Sequence, residues 1–373
     1  MSCLNSPLKL PFPAHLQSDG PHNPFPGLKA LERRLGREIP HRLGSNEGLD
    51  MPHEVLIKHF GEAFVSHIRS YGDAEAYELR QRISQQLDLA IENTLVDAGA
   101  DSLLALALRG LVAIGETVVC SAGTYPTFAY FAQGQGCRLI EVPYFKNENG
   151  LAPNLTALAE VAHQQKARLV YLANPDNPSG HQHSDADVLA LRQSLPEDCW
   201  LLLDEAYHDF REDPASSNPI DGVLRIRSFS KAQGLAGLRV GYAIGSVELL
   251  SQLMKVRIHY ALSSVSLAAA ALLLDHPQEV TAHIEAVKHR RRQLTHLLQS
   301  KGFNVLPSYT NFVAVVMPNG EAASNLQNRL LEQGILVTRP AHADMNHLLR
   351  ITALEDALEA LSSCKGLENR VAR

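Results

Sequence analysis

The feature that most constrains this chain is an alternation. Between about residues 46 and 255, short apolar runs rich in β-branched residues recur: "TLVDAG", "VVCSAG", "CRLIEVPY", "ARLVYLAN", "CWLLLDEA", "VLRIRSFS" and "RVGYAIG". Between them lie stretches with helical period, such as "SLLALALRGL", "NLTALAEVAHQQ" and "DADVLALRQSL". Runs that are apolar at successive positions, not at every second one, belong to strands covered on both faces. Strands joined through a helix pair in parallel, because a parallel pair needs a long crossover. The sequence therefore predicts an α/β fold whose large domain, residues 46–255, holds a mostly parallel sheet sandwiched by helices.

The flanks differ. Residues 1–27 ("SPLKLPFPAHLQSDGPHNPFPG" and the residues before it) are proline-rich and without periodicity, which predicts an extended N-terminal arm. Residues 28–45 and 256–373 read as a smaller α+β domain. It takes up a long helical tract over about 247–300, then "NVLPSYTNFVAVVMP", the helical "AASNLQNRLLEQG", strands "ILVTRP" and "LLRITAL", and a closing helix. A net charge of −6 and the lack of a long basic run argue against a nucleic-acid or anionic-membrane surface. The one basic cluster, "KHRRRQ", reads as a solvated helix face. The longest apolar stretch, "LAAAALLLD", is too short to span a bilayer. Five dispersed cysteines without C-x-x-C predict neither a disulfide framework nor a zinc site. With no signal-peptide pattern, the expectation is a soluble cytoplasmic protein.

In open parallel sheets ligands collect at the carboxyl ends of strands, so the residues just past each strand matter most. "TLVDAG" leads into a turn opening a helix, where Ala100, Asp101 and Ser102 could offer an anion free N–H groups and a hydroxyl. "VVCSAG" leads to Tyr125, "VYLAN" to the proline-locked turn that presents Asn177, and "WLLLD" ends on Asp204 with Tyr207 three residues on. "LRIRSFS" carries Ser228 and Ser230 and leads to Lys231, with Arg239 beyond. Taken singly, each has an ordinary explanation in capping or packing. A buried aspartate and a buried lysine at neighbouring strand ends are costly unless something pairs them. Pyridoxal phosphate asks for the whole set: a lysine for its imine, an acid for its ring nitrogen, an anion cup, partners for its ring hydroxyl and a flat group on its face. His181 and His183 in "GHQHS" lack a third metal ligand nearby and read as loop residues, so no metal is predicted. His342 and His347 lie near two arginines but read first as exposed.

"NPDNPSG", "LLLDEAYHDF" and "SFSKAQGLAGLRVGY" resemble the class I/II, fold-type I aminotransferases, and within them the histidinol-phosphate aminotransferase branch. Looser likenesses are "NPFPGLKALERRLG", "LGSNEG", "RSYGDAEAYELRQRIS", "GADS" and "LLRIT". The resemblance implies the pyridoxal-phosphate transferase fold and an enzyme that moves an amino group between an amino acid, or histidinol phosphate, and an oxo acid such as 2-oxoglutarate. Lys231 would hold the cofactor as an internal aldimine and, once displaced, shuttle the substrate proton. Asp204 would keep the ring nitrogen protonated, with Tyr207 and Asn177 at the ring hydroxyl. Tyr71 would reach the cofactor phosphate of a neighbouring subunit, which implies a homodimer with shared sites. Arg350 would grip the substrate carboxylate, beside Asn177, and Arg339 a second acidic group. The chain departs from the branch in "SNEGLDMP", which replaces Asn-Glu-Asn-Pro, and in Phe25, which stands about where a tyrosine is common. Alternatives are a decarboxylase of the threonine-phosphate type on the same scaffold and a non-catalytic cofactor-binding module. A dehydrogenase ranks last, because no G-x-G-x-x-G comes after the first strand.

Overall fold

A computed structural model of the protein describes residues 28–44, 46–61, 64–147, 150–213, 216–365 and 367. The proposed arm 1–27, with Cys3 and Phe25, lies outside the described residues.

All seven predicted strands form and make one sheet: β1 Thr94–Asp97, β2 Thr117–Ser121, β3 Arg138–Val142, β4 Leu169–Ala173, β5 Trp200–Asp204, β6 Val223–Ser228 and β7 Gly241–Ile244. Their order is β1-β7-β6-β5-β4-β2-β3. Neighbours from β6 through β5, β4 and β2 to β3 pair in parallel. β7 runs antiparallel to both β1 and β6. Side chains alternate between two apolar layers. Tyr171 and Leu202 meet the helices Gly99–Leu111 and Pro126–Gly134 through Leu104, Ala107 and Phe128. Val170, Leu201 and Leu203 meet the helices Leu155–Gln165 and Asp185–Ser194 through Leu158, Val188 and Leu191. Each buried Leu or Phe contributes about 1.5–3 kcal/mol, so the two layers fix the register of the sheet. Caps set where several helices begin. Ser184 and Asp187 form a reciprocal capping box, and Asn154, Ser246 and Ser263 each accept a backbone N–H of the first turn.

A second, antiparallel sheet joins β8 Asn304–Val305, β9 Phe312–Val316 and β10 Leu348–Thr352. The short strands His41–Arg42 and Ile335–Leu336 pair in parallel nearby. A third apolar cluster runs from Val96, Tyr207 and Phe229 of the large sheet's edge to Phe312 and Ile351 of the small sheet.

The structure alters several expectations. The helical tract 247–300 is three helices, Val247–Met254, Ser264–Asp275 and Pro277–Ser300. Ser263 caps the second, and Pro277, lacking an N–H, opens the third. The "KHRRRQ" cluster is not uniformly solvated. Arg291 is 4% exposed and donates to the Thr310 carbonyl at 2.7 Å, and Arg290 lies 2.6 Å from Asp50. Arg291 falls on the inward stripe with Val287, Leu294 and Leu298, where helical period buries it whatever its charge. The helices Glu54–Phe60, Phe64–Arg69 and Pro126–Gly134 and the hairpin Phe145–Asn147/Gly150–Ala152 were not foreseen. Among the described residues no helix is long and apolar enough to cross a membrane.

Candidate active site

The carboxyl ends of β1, β2, β4, β5 and β6 open on a cavity of about 300 Å³. Its wall includes Ala100, Asp101, Tyr125, Asn177, Asp204, Tyr207, Ser228, Ser230, Lys231 and Arg239, which are most of the residues singled out from the sequence. Antiparallel β7 also serves this edge. Gly241 is in register with Asp97 of β1 and Ser228 of β6, so the chain entering β7 brings Arg239 to the strand ends.

Asp204 is the last residue of β5, 4% exposed, on the face that carries Tyr171. Its carboxylate accepts from the Tyr171 hydroxyl at 2.8 Å and the Ala206 N–H at 3.0 Å. Both donors are neutral, and burial pushes the carboxyl up to about 6 even with Lys231 near. Tyr171 was not foreseen as a site residue. It pairs opposite Leu202, one alternate position from Asp204, and stacks on Phe128 with ring centroids 4.2 Å apart. Its signal was a lone tyrosine in an otherwise aliphatic strand.

The anion cup is built on the helix Gly99–Leu111. Asp97 holds its start, accepting from the Ala98 N–H at 2.6 Å and the Ser102 hydroxyl at 3.0 Å, and is itself paired with buried Arg257 at 3.3 Å. Ser102 therefore turns to Asp97 and is absent from the cavity wall. Gly99 stands at φ 82°, and a Cβ there would come 2.8 Å from Arg239. Arg239 spans the cup, 3.2 Å from Asp101 and 3.5 Å from the Ser230 hydroxyl. Tyr125 donates to Asp101 at 3.0 Å.

Asn177 comes two residues after a cis Asn174–Pro175 bond, in a turn held by Asp176. That carboxylate is fully enclosed and accepts from Tyr144 at 2.9 Å and from the Ser179 N–H at 3.1 Å; burial pushes it too up to about 6. Asp176 and Tyr144 escaped the sequence reading, since a turn aspartate most often caps its own turn.

Arg350, in β10, is 6% exposed and donates to Asn177 Oδ1 and to the Gly44 carbonyl. Among the described residues its Nε has no acceptor and no carboxylate pairs with it, and burial lowers its pKa. A buried guanidinium in that condition suits an incoming anion. Arg339 is half-buried, its Nε has no partner among the described residues, and it does not line the cavity. Tyr71 is 86% exposed, with its ring centroid 5.1 Å from that of Tyr260, and lies outside this chain's cavity. His342 sits 3.4 Å from Glu141, and His347 is depressed by burial; neither lines the cavity. His183 turns one ring nitrogen to the Pro153 carbonyl. Among the described residues no three His, Cys, Asp or Glu side chains are grouped to hold a metal.

These residues fit pyridoxal phosphate by their own chemistry. A carboxylate that among the described residues has only neutral donors gains from a protonated ring nitrogen, the bare Gly99 lets Arg239 lie against the helix start where an anion would bind, and Lys231 stands on the same cavity. The family model described as aminotransferase class I and II matches residues 39–361. The chain is 30% identical to a histidinol-phosphate aminotransferase of Anaeromyxobacter sp., over 91% of this chain and 93% of that one. It is 32% identical to an aromatic amino acid aminotransferase of Corynebacterium efficiens, over 79% and 85%. Among solved structures, the histidinol-phosphate aminotransferase of Sinorhizobium meliloti in complex with pyridoxal-5'-phosphate superposes with a TM-score of 0.88 at 34% identity, over 95% and 97%.

Proposed function

The chain belongs to the class I and II aminotransferase family and is a pyridoxal-phosphate-dependent aminotransferase of fold type I; on that premise we propose which residues carry the reaction and which substrates they take. When bound, the cofactor supplies a carbonyl carbon for amines and a ring that takes up an electron pair. Lys231 Nζ would hold that carbon and would be the group that moves the proton of the substrate's amine-bearing carbon. Asp204 would accept the ring N–H and keep it charged. Asn177 and Tyr207 would hold the ring oxygen, and Tyr125 would offer the ring a flat group. The N–H groups of Ala100 and Asp101, with Ser228, Ser230 and Arg239, take the phosphate; Ser102 acts only through Asp97. Arg350 takes an anionic group next to the amine, and its planar fork sets the angle of the bond to be broken.

The observation that carries this reading is the meeting of buried Asp204, Lys231 and the Gly99–Arg239 cup on one cavity wall. The substrate we propose is an aromatic or heteroaromatic amine donor, an aromatic amino acid or histidinol phosphate, with 2-oxoglutarate as acceptor. Support comes from the relatives and from Arg350, whose guanidinium has no carboxylate partner among the described residues and a free Nε, and so suits carboxylate or phosphate alike. Arg339 is proposed to meet a second acidic group. Tyr71 serves a second copy of the chain. Tyr71 and its ring neighbour Tyr260 are both exposed, and so are the large apolar side chains of Ile57, Ile68 and Ile258, apolar surface of the kind that pairs. The cytoplasm is proposed as the compartment, supported by four described cysteines that are all unpaired.

The test is a spectral screen of the purified yellow protein against phenylalanine, tyrosine, histidine, glutamate and histidinol phosphate. Conversion of the cofactor to its amine form by an aromatic donor or histidinol phosphate, reversed by 2-oxoglutarate, is expected. Release of carbon dioxide without an oxo acid would instead support the decarboxylase. Lys231→Ala should abolish turnover.

A further inference from the structure

Asn46, in the altered segment "SNEG", has no role in the mechanism above, yet it touches one of its parts and the strand that carries another. The residue is 1% exposed, and its Nδ2 donates to the Tyr207 hydroxyl oxygen at 2.8 Å. Oδ1 lies 3.0 Å from the Thr352 hydroxyl, and the Asn46 N–H donates to the same hydroxyl at 3.1 Å. Asn311 Nδ2 donates to the Asn46 carbonyl at 3.2 Å. The backbone is left-handed, φ 52°, a region that asparagine and aspartate enter more readily than other residues with side chains.

A phenol has one proton, and its oxygen also accepts. With an amide N–H aimed at that oxygen, the phenol proton must point elsewhere. Tyr207 lines the cavity, and among the described residues no protein acceptor takes its proton. We propose that Asn46 is a positioning residue that turns the Tyr207 hydroxyl proton into the cavity, so that the phenol meets the cofactor's ring oxygen as a donor. The inference rests on the role given to Tyr207 above. A donor at that oxygen favours its anionic form. Through Thr352 the same amide is tied to β10, two residues from Arg350, so the group tuning the ring and the group gripping the substrate share one anchor.

The experiment titrates the visible band of the cofactor-loaded protein with pH in wild type, Asn46→Asp, Tyr207→Phe and the double variant. Aspartate keeps the backbone conformation but accepts the phenol proton. Asn46→Asp is expected to raise the midpoint by about one unit, tenfold in proton affinity, with kcat about tenfold lower and cofactor still bound. In the Tyr207→Phe background the same substitution should shift the midpoint far less. Equal shifts in both backgrounds would mean a charge effect alone and overturn the proposal, as would a wild-type midpoint in Asn46→Asp. An unshifted midpoint in Tyr207→Phe would remove the reading of Tyr207 itself, and the inference with it. Should Asn46→Asp not fold, Asn46→Ala gives the same comparison without added charge: a shift with tyrosine at 207, none with phenylalanine.

Discussion

Asp204 shows how one residue can be costly in the free protein and useful once its ligand arrives. Its carboxyl is pushed up to about 6 by burial, against an unfolded value of about 3.9. The folded chain therefore holds the proton more tightly than the unfolded one. The stability this contributes is full below about pH 4 and is lost as pH rises through 6, roughly 3 kcal/mol over the whole span. Thermal unfolding of cofactor-free protein should show wild type falling behind Asp204→Asn between pH 4.5 and 7.5. A constant difference would refute the account. Tyr171 is the neighbour that limits this cost, by donating to the carboxylate. Tyr171→Phe should lower kcat about tenfold with little change in KM, since it weakens a hydrogen bond to a charged group and touches no substrate. Steady-state kinetics decides it. Asp204 and Lys231 were legible in the sequence because each broke an apolar pattern in one place. Tyr171, Asp176 and Asn46 were not, because a tyrosine in a strand and polar residues in turns are ordinary until their partners are known.

At the scale of elements, the cup depends on how closely β7 approaches the helix Gly99–Leu111. A Cβ on Gly241 would stand 2.7 Å from the Gly99 carbonyl carbon and 2.8 Å from the Ala100 nitrogen, both backbone atoms with nowhere to go. Gly241→Ala must therefore push the helix start away from the strand. The expected result is a stability loss of about 1–3 kcal/mol and at least tenfold weaker cofactor binding, read by equilibrium titration of the cofactor-free protein. Normal affinity would show that the close approach is not what shapes the cup. The strands were readable because both faces are buried and apolar runs record that directly. The antiparallel course of β7 was not, since orientation depends on the path between Ser228 and Gly241, and a short apolar run has the same composition either way. The three helices inside 247–300 were likewise merged, because periodicity continues across a break that only Ser263 and Pro277 mark.

For the whole molecule, the proposal of a shared site makes a quantitative forecast. If Tyr71 of one copy serves Lys231 of the other, Lys231→Ala and Tyr71→Ala each lack a complete site as homodimers. Mixed and reassorted in equal amounts, they should regain activity at about a quarter of the sites, because half the dimers are mixed and one site in each is intact. Sedimentation should give a dimer for both parents. Activity no greater than the sum of the separate variants would place Tyr71 outside the neighbour's site.

The sequence by itself determined the layered α/β body, the strand ends and the residues standing there, because burial is written in local pattern and a few motifs. Only the tertiary structure decided which of those residues meet. Ser102 turns to Asp97, Arg350 reaches Asn177 from another sheet, and Asn46 joins Tyr207 across 161 positions of chain. The physical reason is that a hydrogen bond is settled by distance and angle between groups brought together by packing, and no local pattern records which distant donor will arrive.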